Sequence, residues 1–594
     1  MRTTNAVAHF IIVGLLVVSS GAPTSAQFGF PNAIDKLDPL LQQRASQSGR
    51  SRVIVSVTGA GSLALVSPLV QLAGGVVGRS LPIINGVAAD VPNAALLLLA
   101  GNSLVVHVAM DRVASGALER TGATVGSTAV RQEFGLDGAG VGVAIIDSGS
   151  AATLDDLSDP VVGGTRVDHF VDFVNGRLTS YDDYGHGTHV TGIVGGNGFD
   201  SSGRRSGIAP AARLIALRVL DGSGQGRISD VIAALGYAVA QKDAWNIRVV
   251  NLSVATGVYE SYNLDPLTLA ARAAVNAGIV VVAAAGNNGR SPQGSTRYGG
   301  TTAPGNAPWV LTVGASSHMG TVDRADDTMA AFSSRGPSAL DYAAKPDIVA
   351  PGVGIESLSD PNSAFYLTRG TYLLSGTVPT SYLPYLSLSG TSMAAPVVSG
   401  TVALMLQANP RLTPNEIKAI LEFTAQRYAG YDRLTQGSGF LNAAAAVELA
   451  QFLASPPGTL YPSTSGWSTQ IIWGNRVIQG GQLTPNANAW SALVTWGDPT
   501  TPTGQQITWG TSFHSTGGNV VWGNRCGGAD CHTTWTVASN GGAVLGADDG
   551  DTVVWGTDDG DTVVWGTSAD DGDTVVWGTS CTDPSCEPVI WPSE

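Results

Sequence analysis

The sequence is short of charge, and of positive charge most of all. Only 13% of its 594 residues are Asp, Glu, Lys or Arg, and 31 Lys and Arg stand against 46 Asp and Glu, a formal net charge of −15. A nucleic-acid binder concentrates basic side chains to neutralise phosphates, and no basic run occurs here, so that class is excluded. Long apolar runs are also missing: past the first residues nothing qualifies as a permanent membrane span, and Phe10–Val18 is short for a hydrocarbon core of roughly 30 Å. Cysteine is scarce, with four residues set as two C-x4-C pairs, Cys526 with Cys531 and Cys581 with Cys586. In an exported chain an even count favours disulfides, here with three connectivities open. Zinc is the weaker alternative, because its ligand pairs sit closer together and are backed by further ligands.

What is present is apolar and glycine-rich. With 43% apolar residues, wholesale disorder is excluded; 76 Gly and 13 Trp announce many tight turns and a Trp-rich segment. Residues 1–26 run from Arg2 through the apolar stretch to Thr24-Ser25-Ala26 and read as a secretory signal peptide, which predicts export. Residues 27–120 hold the strand-like run Val53–Val57 and the apolar stretches Ala95–Leu99 and Val105–Val108, enough for a small α+β unit. Across 121–455 the pattern changes. Short β-branched runs at Val141–Ile146, Leu214–Val219, Val249–Leu252 and Ile279–Ala284 read as strands buried on both faces, and Asp230–Gln241 and Leu267–Ala277 carry helical spacing. This rhythm predicts an α/β domain, a parallel sheet with helices on both faces.

Residues 456–594 hold 11 of the 13 Trp and a ten-residue unit, Asp548–Thr557, repeated from Asp558 and again from Asp570, with looser copies at Ile472–Asn475 and Val521–Asn524. Each copy reads as a turn, a short strand and a Trp before a turn glycine, which predicts a β-rich repeat tail. Stacking of neighbouring copies accounts for it without a ligand. Surface binding through Trp is the functional option, and the Asp-rich turns lack the spacing and terminal carboxylate of a calcium loop.

Four short motifs carry chemistry. Asp147 follows a buried strand in Ile146-Asp147-Ser148-Gly149, at the carboxyl end where open α/β sheets place their sites, although Asp before Gly also makes ordinary turns. In Tyr184-Gly185-His186-Gly187-Thr188-His189, glycines on both sides let backbone approach the imidazole; no Glu lies between the two His to serve a zinc peptidase. Asn287 ends another strand, in Ala284-Ala285-Gly286-Asn287-Asn288-Gly289. Ser392 begins a helix running to about Gln407, in Leu388-Ser389-Gly390-Thr391-Ser392-Met393-Ala394. A hydroxyl there can simply cap the helix, or it can sit where backbone N–H groups meet a developing oxyanion.

Together, in the order Asp, His, Asn, Ser, these motifs resemble the subtilisin-like serine proteases, the subtilases. Gly207-Ile208-Ala209-Pro210, Gly222-Ser223-Gly224-Gln225-Gly226, Phe332–Pro337 and Lys345–Gly352 agree, and the resemblance covers roughly residues 125–452. It implies Ser392 as nucleophile, His186 as general base, Asp147 as its partner, and an oxyanion hole from the Asn287 amide and the Ser392 N–H. His189 is implied to be structural. Substrate is implied to lie extended between Gly224 and Ser253-Val254-Ala255, with 253–255, Ala284-Ala285-Gly286 and the region of Thr302 lining an apolar-preferring pocket. Residues 27–120 are implied to be a prodomain that assists folding, blocks the cleft and is cut off somewhere in about 110–128.

Three features depart from the family pattern: Thr191 for Ala, Ser253-Val254-Ala255 for Ser-Leu-Gly, and a Tyr-rich lengthening over 356–388 that either caps the site or lies on the surface. The chemistry implied needs no cofactor and no metal; structural calcium accompanies many members, but no ligand set is assignable here. The expected protein is thus a secreted serine endopeptidase acting on proteins or peptides through an acyl-enzyme, inhibited by its own prodomain, with cell-surface association through the tail as an option. The rivals are an adhesion protein built on an inert protease-like scaffold and an esterase or amidase using the same groups.

Overall fold

The computed structural model describes residues 33–509 except 82–83, 111–116, 159–163, 292–294 and 486, together with four short strands beyond residue 510. The expected signal peptide and the four cysteines lie outside the described residues. Two compact units divide the chain, one ending at Arg112 and the other beginning at Val113.

In the first unit, strands β1 (Arg50–Val57), β2 (Val76–Leu81), β3 (Gly86–Pro92) and β4 (Val105–Met110) form an antiparallel sheet in the order β2-β3-β1-β4. Alternation along β1 buries Val53, Val55 and Val57 on one face. Val66 and Val70, four apart on the helix Leu63–Leu72, join them together with Leu96 and Leu99.

The second unit is built on β5 (Gly142–Asp147), β6 (Val167–Asp172), β7 (Arg213–Arg218), the short β8 (Gln225–Arg227), β9 (Ile247–Leu252), β10 (Val280–Ala284), β11 (Leu311–Ser317), β12 (Thr328–Met329) and β13 (Ile348–Pro351). The large sheet runs β12-β11-β10-β9-β5-β7-β6, with β13 also paired to β11, and every pairing but β11–β12 is parallel. Every residue of β5, β10 and β11 is buried, as a sheet covered on both faces requires. Helices Ile228–Ala240 and Pro266–Asn276 pack together and on the sheet; Thr391–Ala408 lies across β9, β10 and β11, backed by His186–Gly195 and Ala443–Ala454. The strands and helices expected from the apolar pattern between 141 and 284 fall within two residues of those observed.

Local chemistry fixes the helix starts. The Asp265 side chain accepts from the N–H groups of Leu267 and Thr268 with Pro266 at the first position, and Thr413 with Glu416 makes a reciprocal capping box. Thr391–Ala408, the one described helix long and apolar enough to cross a membrane, is a buried core helix. Strands β14 (Ile355–Leu358), β15 (Leu373–Leu374) and β16 (Tyr385–Leu388) form a separate antiparallel sheet within the lengthened 356–388 region.

Both expected boundaries around the large domain move. Helix Ala117–Val125, which straddles the expected boundary between residues 120 and 121, belongs to the second unit: Arg120 donates to the Gly320 carbonyl and Thr124 to that of Thr321. At the other end, residues 467–509 are not a separate tail. The hairpin β17 (Gln470–Trp473) and β18 (Arg476–Gln479) packs into the same core, where Trp473 and Trp496 are buried with ring centroids 4.4 Å apart. The Ile472 N–H and the Ser438 hydroxyl donate to the buried Glu422 carboxylate, and the Lys418 ammonium lies 4.8 Å from the Trp496 ring. Beyond them, β18 pairs with β19 (His514–Asn519), the first two full repeat copies pair as β20 (Val553–Trp555) and β21 (Val563–Trp565), and β22 (Thr574–Val576) of the third pairs with β8.

Removing a buried indole deletes its transfer energy and leaves a cavity, so Trp473→Ala is expected to cost about 3–5 kcal/mol in urea unfolding. A cost below about 0.5 kcal/mol, the range of surface substitutions, would show that this hairpin lies outside the cooperative core.

Candidate active site

Asp147, Ser253 and Asn287 stand at or just past the carboxyl ends of the neighbouring parallel strands β5, β9 and β10, the edge where α/β sheets place their sites. Asp147 is fully buried, and its Oδ1 accepts from the Ser148 N–H at 2.7 Å and from His186 Nδ1 at 2.6 Å. His186 opens the helix His186–Gly195 and is fully buried. Gly187 permits the approach, since a Cβ there would lie 2.2 Å from the Gly149 carbonyl oxygen. Burial pushes the His186 imidazole well below its usual value, against the opposing charge of Asp182. Burial also pushes the Asp147 carboxyl up, against the hydrogen bonds from Ser148. The Ser148 N–H and His186 Nδ1 thus both meet Asp147 Oδ1, and Nε2 is the ring nitrogen that does not contact the carboxylate.

Sequence reasoning missed the group that holds this pair. Asp182 is buried: its Oδ1 accepts from the Ser148 hydroxyl (2.9 Å) and the Gly185 N–H (2.7 Å), and its Oδ2 from the Thr188 N–H and hydroxyl (both 2.7 Å). One carboxylate thereby fixes the residues flanking both Asp147 and His186. The available signal was an Asp just ahead of a helix start, which is a capping pattern.

Ser392 is buried at the second position of the helix Thr391–Ala408, which packs directly on the His186 helix. The Ser392 carbonyl accepts from the Ser253 hydroxyl at 2.9 Å; Asn251 donates to the Ser253 oxygen and accepts from Ser399, so β9 is tied to the same helix. Asn287 Oδ1 accepts from both the N–H and the hydroxyl of Thr391 at 2.9 Å. That leaves the Asn287 NH2 as the group turned toward Gly390, where a Cβ would lie 3.6 Å from Nδ2. An amide donor beside a helix start is an arrangement able to stabilise an oxyanion.

The expected pocket segments are neighbours. Thr256 and Ala303 exchange backbone hydrogen bonds at 3.0 Å, and the Thr302 N–H donates to Ala285; Val254 and Ala255 are buried. Gly286 carries φ +95° and lies against Thr302 and Ser334. Gly224 sits in a turn held by Asp221, whose Oδ1 accepts from Ser223 and Gln225. Among the described residues no three His, Cys, Asp or Glu converge as a metal cage.

His189 lies apart from this chemistry. Its Nε2–H donates to the carbonyls of Ile355 (3.1 Å) and Leu386 (2.9 Å), and burial, reinforced by His186, pushes its pKa down to about 3. Because the folded value lies below the unfolded one of about 6.5, the unfolded chain binds the extra proton first as pH falls. His189 then withdraws stability from pH 6.5 downward, by up to about 1.4 kcal/mol per pH unit until about 3. Histidine-selective NMR should find its ring neutral throughout pH 5–8; a midpoint near 6 would refute this.

A model of the subtilase family of peptidases matches residues 138–441. Serine protease AprX of Bacillus subtilis (strain 168) is 38% identical over 367 residues, covering 61% of this chain and 78% of the relative. Subtilisin DY of Bacillus licheniformis is 34% identical over 318 residues, covering 53% and 94%. A cold-adapted subtilisin-like serine proteinase of known structure aligns at 28% identity and a TM-score of 0.39, over 52% of this chain and 90% of its own. With the family match spanning just over half of its length, and relatives above 30% identity aligned over most of their own, the chain belongs to the subtilase family and is a serine endopeptidase.

Proposed function

We propose that the protein is an exported endopeptidase made as a self-processed precursor, in which Ser392, His186 and Asp147 form the catalytic triad. The observation that carries this reading is the buried 2.6 Å contact between His186 Nδ1 and Asp147, at the sheet edge where Asn287 is bonded to the start of the Ser392 helix. Ser392 Oγ attacks the scissile carbonyl carbon while its proton passes to His186 Nε2, and Asp147 stabilises the imidazolium. The oxyanion forms beside the Asn287 NH2 and the Ser392 N–H. His186 then gives the proton to the leaving amine, and a water, deprotonated by the same nitrogen, releases the acyl group. Substrate lies extended between Gly224 and Ser253-Val254-Ala255, with Ala285 and Gly286 lining the pocket for its principal side chain. This chemistry requires no metal or cofactor.

The unit ending at Arg112 acts as the prodomain and intramolecular inhibitor, and residues 1–26 direct export. Arg120 and Thr124 are bonded within the second unit, which supports a cut on the N-terminal side of Ala117–Val125.

Wild type and Ser392→Ala, expressed side by side, test the reading. Only the wild type should release its first unit, hydrolyse casein and react with a fluorophosphonate, and mass spectrometry should place its new N-terminus between residues 110 and 117. Two proteins that behave alike would overturn the assignment. Asn287→Ala should lower kcat about 10²–10³-fold with little change in KM, a magnitude established on subtilisin itself. A loss confined to KM would remove Asn287 from the oxyanion hole.

A further inference from the structure

The lengthened 356–388 region places an aromatic side chain beside His186. Phe365, on the short helix Ala364–Thr368, is only 4% exposed. Its ring centroid lies 6.3 Å from that of His186 with the planes at 78°, and 4.5 Å from that of Tyr184. The placement is fixed through backbone: the Ala364 and Phe365 N–H groups donate to the carbonyls of Asp183 (2.9 Å) and Tyr184 (3.1 Å), while the Ser363 hydroxyl caps Tyr366. Gly185 accommodates this turn, because a Cβ there would meet Ser363 Oγ at 2.5 Å and Phe365 Cβ at 3.2 Å. On its other side Tyr184 abuts Gly224, where a Cβ would lie 2.4 Å from Tyr184 Cζ. The Tyr184–Phe365 pair therefore spans the gap between Gly224 and the imidazole.

We propose that Phe365, with Tyr184, determines specificity by closing the cleft beside His186, so that the substrate side chain lying against the imidazole must be small. The inference rests on the peptidase reading above and extends it to substrate choice. An extended substrate passing along Gly224 toward Ser392 presents alternate side chains to the wall. The one that reaches His186 finds two packed rings, the buried Phe365 edge-on to the imidazole and the half-buried Tyr184 tilted against it, with Phe365 placed by backbone hydrogen bonds rather than by a flexible side-chain contact. Gly, Ala or Ser fits there; Leu or Phe would have to displace a ring from a close-packed site. Phe365 is a specificity-determining residue and takes no part in proton transfer.

The test uses a peptide series varied one position at a time on the acyl side of the scissile bond, with Gly, Ala, Leu or Phe. It is read as kcat/KM for wild type, Phe365→Ala and Phe365→Leu, each normalised to fluorophosphonate-titrated sites. One position should favour Ala over Phe by about tenfold or more in the wild type, the discrimination expected of a packed pocket wall. Phe365→Ala should collapse that ratio, and Phe365→Leu, which keeps most of the volume, should lower it partly. Because a ratio is read, a general loss of activity cancels. An unchanged ratio in an active variant, or an active wild type with no such preference, would overturn the proposal alone. A wild type without Ser392-dependent hydrolysis would overturn the peptidase reading and this one with it. Should Phe365→Ala not fold, Phe365→Leu and Tyr184→Ala read the same wall from either ring.

Discussion

A carboxylate with no access to water governs the carboxyl edge of the large sheet. Asp147 is fully buried, and an ion in that position costs several kcal/mol unless donors converge on it. Here the donors are the Ser148 N–H and His186 Nδ1, so the requirement to satisfy Asp147 and the placement of the imidazole are one constraint. Asp182 repeats the device one layer out: its four accepted hydrogen bonds come from Ser148, Gly185 and Thr188, the flanks of both partners. The Arg218 guanidinium, also buried, donates to the Ser148 carbonyl and pairs with Asp183 at 2.7 Å, joining β7 to the same network. The orientation of His186 is thus over-determined by groups that lie outside the proposed triad.

A second buried ionic group works toward a different end. Lys345 and Lys418 each lie 3.0 Å from an oxygen of Asp347, and Glu422 completes the set. Burial drives the Lys345 pKa down to about 7 and that of Glu422 up to about 8, the direction low polarisability imposes on cations and acids alike. Lys345 also donates to the Val310 carbonyl and the Thr312 hydroxyl, Lys418 to the carbonyls of Pro308 and Val310, and Glu422 accepts from the Ile472 N–H and the Ser438 hydroxyl. Ile472 belongs to the Trp-rich region, so the first stretch of what composition marks as a tail supplies a donor that the large domain needs. Trp473 and Trp496 are there as core residues.

The same contrast explains what was legible in the sequence. Strands β5, β7, β9 and β10 could be read because burial on both faces demands continuous β-branched runs. β11, Leu-Thr-Val-Gly-Ala-Ser-Ser, is equally buried yet could not, because its Gly-Ala-Ser-Ser half has small residues of low strand propensity and no β-branched run. β6, Val-Asp-His-Phe-Val-Asp, is an edge strand with half-exposed polar positions and no apolar run. At the candidate site, Asp147, His186, Asn287 and Ser392 are written in short motifs, and the structure brings Asp147 onto His186 and Asn287 onto the start of the Ser392 helix. Asp182 and Phe365 are not so written, since their roles depend on where a turn and an insertion come to lie. The Trp-rich boundary failed for a related reason: an indole in a stacked repeat and an indole in a core look alike in composition.

Position of the 356–388 region constrains how it can act. His189 stands three residues after His186, nearly one helical turn on, and its Nε2–H reaches the carbonyls of Ile355 and Leu386 on β14 and β16. Ser357 returns a hydroxyl to the His189 carbonyl at 2.8 Å, and Gly192 on the same helix faces Ser357 and Leu358. The 356–388 region is therefore tied by buried hydrogen bonds to the helix that carries the His186 imidazole. Lifting this region away would break these buried hydrogen bonds, each contributing about 0.5–1.5 kcal/mol net. Anchoring of this kind favours a fixed wall, so the selection proposed for Phe365 is steric rather than gated.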